Sequence, residues 1–282
     1  MKDFNSRNDG VDFDRAVLID SGVWWVGFQD RDSGLRCNPY LIIEGDEAVL
    51  LDGGSRPDFP VVMMKILETG FDPRKITALI YDHSDPDLCG NIPNLEQMIA
   101  RPDLKLICDD FSGIFIRHYN AKSEFVNISD IDFRYTFATG RTLEFITTPY
   151  CHTRGSFVVY DAKTKILLSG DLFGTYDPEW RLFLGLAEDC AHDRDCKQCR
   201  IWRKNCPIKE CLKFHSMVMP CKKALRMTLK KLKKLPFEYV APQHGSIIDR
   251  KTADVLIREL EALEKVGIDC FDSEDDLPAA NL

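Results

Sequence analysis

Residue types that can bind a metal ion follow four separate apolar segments of this chain. The six candidates are His83, Asp85, Asp87, His152, Asp171 and His244. The first three come directly after the apolar run Ile76–Tyr81, and each of the others follows a further run. Short apolar runs that end in turn-forming residues are typical of buried strands, so these side chains are predicted to lie in loops at strand ends. Such loops can converge, and three imidazoles with three carboxylates supply the donors that two neighbouring divalent ions need.

Each candidate also has an ordinary structural explanation. Asp85 and Asp87 stand in a Ser/Asp/Pro segment, where aspartates commonly form turns. An isolated histidine is likewise usually a structural residue. The repetition favours a metal site, because turn formation alone does not place ligand-type residues at four different strand ends.

The string His83-x-Asp85-x-Asp87-Leu88 and the three later candidates resemble the metallo-β-lactamase superfamily, and more closely the di-iron domain of the flavodiiron proteins. The resemblance extends over about residues 20–263 and implies an α/β fold, the αββα sandwich of that superfamily, here with a Cys-rich insertion. The superfamily's hydrolases have a histidine at the second ligand position of this string, whereas flavodiiron proteins have a carboxylate there. Asp85 therefore points to iron, which mixed imidazole and carboxylate sites suit.

The resemblance also implies a role for each residue, with Asp171 bridging two non-heme irons. The other implied ligands are His83, Asp85 and His152 for the first iron and Asp87 and His244 for the second. Two positions depart from the family. Asp85 is one methylene shorter than the family's glutamate, and Leu88 stands where the family has a histidine. Because leucine cannot bind a metal, the second iron would lack one protein ligand, which fits a water or a diatomic gas at that position.

Two segments repeat one arrangement along the chain. Asn38–Gly54 and Ser156–Asp171 each predict two strands joined by a turn, and each ends with an aspartate beside a glycine. This resembles the superfamily's internal pseudo-symmetry, with Asp52 as the first-half counterpart of Asp171 and a structural role expected for it. Helices are predicted near residues 59–67, 92–99, 224–235 and 251–266.

An insertion of about residues 183–221 lies outside the family pattern and is rich in cysteine. Clustered cysteines with a C-x2-C element are more typical of a metal site than of a disulfide framework, so we expect zinc or an iron–sulfur cluster here. The expected ligands are Cys196, Cys199, Cys206 and Cys211, with Cys190 able to replace an end member. A redox-active disulfide and unligated thiols are the alternatives.

The other cysteines are scattered along the chain. Cys37, Cys108 and Cys270 are expected to be buried small apolar side chains. Cys151 precedes His152, and the alternation of side chains along an extended segment predicts that it points away from the site.

The chain is expected to consist of an N-terminal tail over residues 1–15, a metallo-β-lactamase-like di-iron domain over 16–270 and an acidic disordered tail over 271–282. No apolar run approaches the roughly 20 residues that span a bilayer, so we expect a cytoplasmic protein without membrane contact. A net charge of −8 argues against a nucleic-acid partner. The sequence leaves a homodimer open.

The predicted function follows from the electron supply. In flavodiiron proteins electrons come from a flavin mononucleotide (FMN) held by a following flavodoxin domain, whereas this sequence stops 38 residues after His244 and shows no phosphate-binding loop. We therefore expect no bound FMN and slow turnover. The leading hypothesis is a cytoplasmic O2 or redox sensor that signals to a partner protein. The alternatives are an O2 or NO reductase, an oxidoreductase fed by an external electron donor, and a metal-dependent hydrolase of the superfamily.

Overall fold

The computed structural model describes residues 4–28, 37–176, 180–186, 190 and 206–271. Within these ranges the chain forms two seven-stranded sheets, with helices on their outer faces. The central core lies between the sheets, where Val49 and Ile80 of the first sheet belong to the same cluster as Phe157 and Val159 of the second. Two further apolar clusters join each sheet to its own helices. The predicted αββα sandwich is confirmed.

The first sheet contains its strands in sequence order. They are β1 (Val17–Asp20), β2 (Val23–Trp25), β3 (Tyr40–Glu44), β4 (Glu47–Leu51), β5 (Ile76–Ile80), β6 (Lys105–Cys108) and β7 (Glu124–Asn127). Strands β1 to β4 pair antiparallel, and β4 to β7 pair parallel. Parallel neighbours need a crossover connection, which explains why helices separate these strands along the chain.

The second sheet has the strand order β12-β14-β13-β11-β10-β9-β8. Its strands are β8 (Arg134–Thr136), β9 (Thr142–Thr147), β10 (Phe157–Asp161), β11 (Ile166–Leu168), β12 (Phe183–Leu184), β13 (Tyr239–Ala241) and β14 (Ile247–Asp249). Strands β8 to β11 pair antiparallel, and β11 pairs parallel with β13.

Helices of the first half cover the first sheet, and helices of the second half cover the second sheet. They are α1 (Phe59–Glu68), α2 (Pro86–Cys89), α3 (Ile92–Ile99), α4 (Asp110–Ile116), α5 (Pro207–Val218), α6 (Lys222–Leu232) and α7 (Arg250–Glu261). The helix predicted near residues 251–266 ends earlier, because the chain turns after Glu261 and buries Val266 in the apolar cluster. None of the helices in the described ranges is both long and apolar enough to cross a bilayer.

The two halves of the chain repeat one topology, as the sequence predicted. A hairpin, β3 and β4, is followed by β5 parallel to β4, and the hairpin of β10 and β11 is followed by β13 parallel to β11. Asp52 and His83 follow the two parallel strands of the first half, and Asp171 and His244 follow those of the second. Because parallel strands end at one edge of a sheet, each half brings its aspartate and histidine to that edge.

The first described residues differ from the tail that we expected over residues 1–15. Phe4–Asn8 form a 3-10 helix, and the ring of Phe4 stacks on Tyr239 with centroids 5.6 Å apart. The Asn8 side-chain amide donates a hydrogen bond of 2.7 Å to the carbonyl of Phe183 in β12. Because β12 lies at the edge of the second sheet, these contacts cover that edge.

Candidate metal centre

The predicted ligands meet beyond the ends of the parallel strands. His83 follows β5, Asp171 follows β11 and His244 follows β13. His152 lies in the loop after β9. Asp85 is the N-cap of α2, and Asp87 lies in the first turn of that helix. The segment that we expected to be a loop thus contains one short helix, and both aspartates lie at its start.

A first group of donors contains His83, His152 and Asp171, whose ligand atoms all lie within 4.8 Å of one another. The Nε2 atom of His152 is 3.4 Å from Asp171 Oδ2 and 3.3 Å from Asp85 Oδ2. The Nε2 atom of His83 is 3.8 Å from Asp171 Oδ1 and 3.9 Å from Asp85 Oδ2. Two imidazoles therefore face the same two carboxylates. Asp85, whose side chain is 40% exposed, forms the side of the group that is open to solvent.

A second group contains Cys37, Asp87 and His244, again with ligand atoms within 4.8 Å of one another. The Nε2 atom of His244 lies 3.3 Å from Asp87 Oδ2 and 3.4 Å from Asp171 Oδ1. The thiol of Cys37 donates a hydrogen bond of 3.4 Å to Asp87 Oδ2. We expected Cys37 to be a buried small apolar side chain. It is buried, as expected, but a carboxylate and an imidazole lie beside its sulfur, so the expectation of an apolar role was wrong.

Asp171 lies between the two groups. Its Oδ2 atom faces His152, and its Oδ1 atom faces His83 at 3.8 Å and His244 at 3.4 Å. Among the described residues, Asp171 Oδ1 and His152 Nε2 are buried and have no hydrogen-bond partner. A buried polar atom without a partner is costly, and metal ions bound between these donors would remove the cost. The arrangement fits two neighbouring divalent ions that share one carboxylate.

The electrostatics of the site show how its charges balance without a metal ion. Burial lowers the pKa of His83, but the carboxylates of Asp171 and Asp82 outweigh it and raise this pKa to about 10. Burial raises the pKa of Asp87, but the hydrogen bond and charge of His244 outweigh it and lower this pKa to about 2. The imidazoles and the carboxylates named here thus favour each other's charged form. Because metal binding requires neutral imidazole, an ion that bound here would displace any proton on the ligating nitrogen.

Asp82 supports His83 from behind. Its Oδ1 atom lies 2.5 Å from Nδ1 of His83, which leaves Nε2 facing the carboxylates. Such a carboxylate partner fixes the tautomer of a ligating histidine. Gly170, at a φ of +55°, packs against the other side of Asp82, and a Cβ atom there would lie 2.5 Å from Asp82 Oδ2. Sequence reasoning missed Asp82, although its position directly before a predicted histidine ligand is a usable signal.

Leu88 and Asp52 do not join the two donor groups. Leu88 is fully buried in the apolar cluster between the first sheet and its helices, together with Tyr81 and Leu95. Asp52 is buried at the end of β4 and adopts a left-handed backbone with a φ of 56°. These positions agree with the missing ligand at Leu88 and with a structural role for Asp52.

The expected site in the Cys-rich insertion stays a prediction. Cys196 and Cys199 lie outside the described residues. Cys211 is fully buried on α5 within the apolar cluster of the second sheet, and burial holds the pKa of its thiol well above the usual range. Cys190 and Cys206 are partly exposed.

The scattered cysteines other than Cys37 were predicted with mixed success. Cys108 is buried, as expected. Cys151 points into the apolar cluster of the second sheet, away from the neighbouring His152 donor atom. Cys270 is exposed, because the 3-10 helix that contains it lies at the surface, so the expectation of a buried side chain was wrong there.

Solved structures share this fold. The peroxy diiron species of the chemotaxis sensor ODP matches with a TM-score of 0.71 at 21% identity, over 90% of this chain and 97% of that chain. The apo state of the chemotaxis sensor ODP from T. denticola matches with a TM-score of 0.71 at 23% identity, over 90% of this chain and 95% of that chain. At these identities the likeness establishes the shared fold.

Curated relatives include a nitric oxide reductase and a type A flavoprotein. The nitric oxide reductase of Moorella thermoacetica is 26% identical over 257 residues, which are 83% of this chain and 57% of that protein. The type A flavoprotein fprA of Rhodobacter capsulatus is 24% identical over 262 residues, 85% of this chain and 54% of that protein. The chain thus spans about half the length of these relatives.

The family model described as ODP family beta lactamase matches residues 35–245, a range that includes all six predicted ligands. This confirms the resemblance that the motif at His83 first indicated. Because the match covers more than half of the sequence, the chain belongs to the ODP family beta lactamase.

Proposed function

We propose that this chain is an oxygen-binding non-heme di-iron protein that senses O2 and communicates its state to a protein partner. The observation that carries the proposal is the pair of donor groups joined by Asp171. Support comes from the chemotaxis sensor ODP, whose solved structure holds a peroxy diiron species and is matched over 97% of its length.

The proposed ligands follow from the distances between donor atoms. The first iron would be held by His83, Asp85 and His152, the second by Asp87 and His244, and Asp171 would serve both. Imidazole nitrogens mixed with carboxylate oxygens suit non-heme iron with open positions. A bridging carboxylate also suits two ions about 3.5–4 Å apart.

The side chains around the irons have separate tasks in this proposal. Asp82 holds the proton on Nδ1 of His83 and keeps Nε2 as the coordinating atom. Asp171 would be shared by the two ions, while the exposed side of Asp85 would leave a path from solvent. When bound, ferrous irons would supply the electrons that O2 takes up.

A sensor also needs two states that a partner can distinguish. An equilibrium carries a signal only if the partner binds the two states with different affinity. Asp85 and His152, with side chains 40% and 17% exposed, are held in segments near the surface. A change in their coordination is therefore close to a surface that a partner protein can contact.

A second candidate is an O2 or NO reductase that receives electrons from an external donor. It is favoured by the 26% identity to the nitric oxide reductase of Moorella thermoacetica over 83% of this chain. The same ligands would serve both candidates. The two candidates differ after the first oxidation, because a reductase is reduced again quickly and a sensor persists in its oxidised state.

Oxygen uptake by the iron-loaded chain distinguishes the sensor from the reductase. The full chain would be loaded with ferrous iron without oxygen, and O2 consumption would be followed with an oxygen electrode, with and without a chemical reductant. A sensor takes up O2 once and then stays oxidised for a long time. Sustained consumption with the reductant would favour the reductase, and no uptake by a chain that holds iron would contradict both.

A further inference from the structure

We propose that Cys37 is a protein ligand of the second metal ion. Its sulfur would be a donor to the ion that lacks a histidine ligand here, because Leu88 stands where the family has that histidine. This inference rests on the proposed function only in taking the pocket of Asp87 and His244 as a metal pocket.

The first argument is the position of the sulfur. Cys37 Sγ lies 3.4 Å from Asp87 Oδ2, and the ligand atoms of Cys37, Asp87 and His244 lie within 4.8 Å of one another. The side chain of Cys37 is only 3% exposed, so its sulfur faces the pocket and not the solvent. Distances of this size between three donors leave room for one ion among them.

A second observation points independently to an ion in this pocket. Asp171 Oδ1 also lies 3.4 Å from His244 Nε2. This oxygen is buried and accepts no hydrogen bond within the described part of the chain. An ion that bound Cys37 and His244 would also give this oxygen its partner.

The side chain of Asn38 fixes the segment of Cys37 against the loop of His244. Asn38 is fully buried, and its side-chain amide donates hydrogen bonds of 3.0 Å to the carbonyl of Pro242 and 2.9 Å to that of Gly245. These two residues flank His244 in sequence. The peptide that contains Cys37 is therefore fixed against the loop of His244, and ligands held in place by neighbouring contacts bind a metal with less rearrangement.

Burial alone does not explain these surroundings. Cys108 is equally buried, at 2% exposure, but it lies in an apolar cluster and in neither of the donor groups found among the described residues. Cys37 differs because a carboxylate and an imidazole face its sulfur. Thiolates bind both iron and zinc. As the metal–sulfur bond forms, the S–H bond breaks and the proton passes to solvent.

Zinc is the probe for the test, because it binds sulfur and nitrogen donors without redox chemistry. The full chain would be loaded with Zn²⁺ and studied by X-ray absorption at the zinc edge, where sulfur at about 2.3 Å is separated from nitrogen at about 2.0–2.1 Å. The variants are Cys37→Ser and Cys37→Ala, and the matched control is Cys108→Ser. Zinc bound at the Cys-rich insertion adds the same sulfur signal to every variant, so only differences between variants are interpreted.

We expect both Cys37 variants to lose sulfur scattering and to bind one zinc ion at least about tenfold more weakly, the loss that even indirect partners of a metal cause. The Cys108→Ser control should match the unsubstituted chain in both measurements. Retained binding of the first ion and an unchanged near-ultraviolet circular dichroism spectrum show that the variants fold. Sulfur scattering and zinc affinity in Cys37→Ala equal to the control would overturn the proposal.

The same variants keep this test separate from the sensor function. If the chain binds zinc through Cys37 but never takes up O2 when loaded with iron, the proposed sensor function is wrong and Cys37 is still a metal ligand. If the chain takes up O2 normally and zinc binding is unchanged in Cys37→Ala, Cys37 is not a ligand and the sensor function is still supported.

Discussion

The two pockets of the proposed centre share Asp171 but are supported in different ways. In the first, His83 is positioned by a side chain, the carboxylate of Asp82 at 2.5 Å. In the second, His244 lies in a loop fixed through backbone groups, including a bond of 3.2 Å from the amide of Thr175 to the carbonyl of His244. The metal affinity of the first pocket should therefore change with single substitutions behind its histidine. The metal affinity of the second pocket should depend on the packing of segments that are distant in sequence.

The donor types differ as well. The first pocket offers two imidazoles and carboxylates, all at positions that the motif predicted. Apart from the shared Asp171, the second offers one imidazole, one carboxylate and the thiol of Cys37. The thiol makes the second donor set softer, so we expect the two ions to respond unequally to substitution.

Replacing the shared ligand should have the largest effect. In Asp171→Ala both ions lose a donor, and we expect both to bind at least about 100-fold more weakly, measured as iron per chain after anaerobic loading. The matched control is Asp52→Asn, at the equivalent strand end of the other half, which should keep both irons. Asp171→Ala with full iron content would refute the shared ligand.

Removing a histidine from one pocket at a time should distinguish the two binding sites. His83→Ala and His244→Ala change equivalent strand ends, so each is expected to lose one of the two irons and to retain the other. Titration of each variant with ferrous iron, followed by calorimetry, measures the remaining site. If either variant lost both ions or neither, the division into two pockets would be wrong.

Weakening the support behind His83 should affect only the first pocket. In Asp82→Asn the histidine loses a charged partner, and we expect the first iron to bind about 10–100-fold more weakly while the second is unchanged. The comparison is sharpest in calorimetric titrations that resolve two binding steps. Equal losses in both steps would show that Asp82 acts on the fold as a whole.

Substituting Leu88 should have the smallest effect on metal binding. Because this side chain lies in the apolar cluster, Leu88→His is expected to lower the free energy of unfolding by about 2 kcal/mol, the cost of burying a polar group. Iron content should stay the same. Denaturant unfolding measures the first quantity, and tighter binding of the second iron would show instead that the histidine reaches the pocket.

Most of the candidate site and much of the fold could be predicted from local sequence patterns. The six predicted ligands were recognisable because they stand in the segments that follow four apolar runs, and the repeated hairpins predicted the two halves. Cys37 was not recognisable, because its approach to His244 depends on a bond from Asn38 to Pro242 across 204 positions of sequence. The packing of Phe4–Asn8 against the sheet was missed for the same reason, since the edge strand β12 that they cover lies far along the chain.

Spectroscopy of the oxidised centre tests the shared-ligand account most directly. The full chain would be loaded anaerobically with isotopically enriched ferrous iron, exposed to O2 and studied by Mössbauer spectroscopy beside Asp171→Ala. We expect two iron signals of equal area but different shape, coupled into one pair, and loss of that pair in the variant. Isolated, uncoupled iron in the unsubstituted chain, or a coupled pair that persists in Asp171→Ala, would contradict a centre built on Asp171.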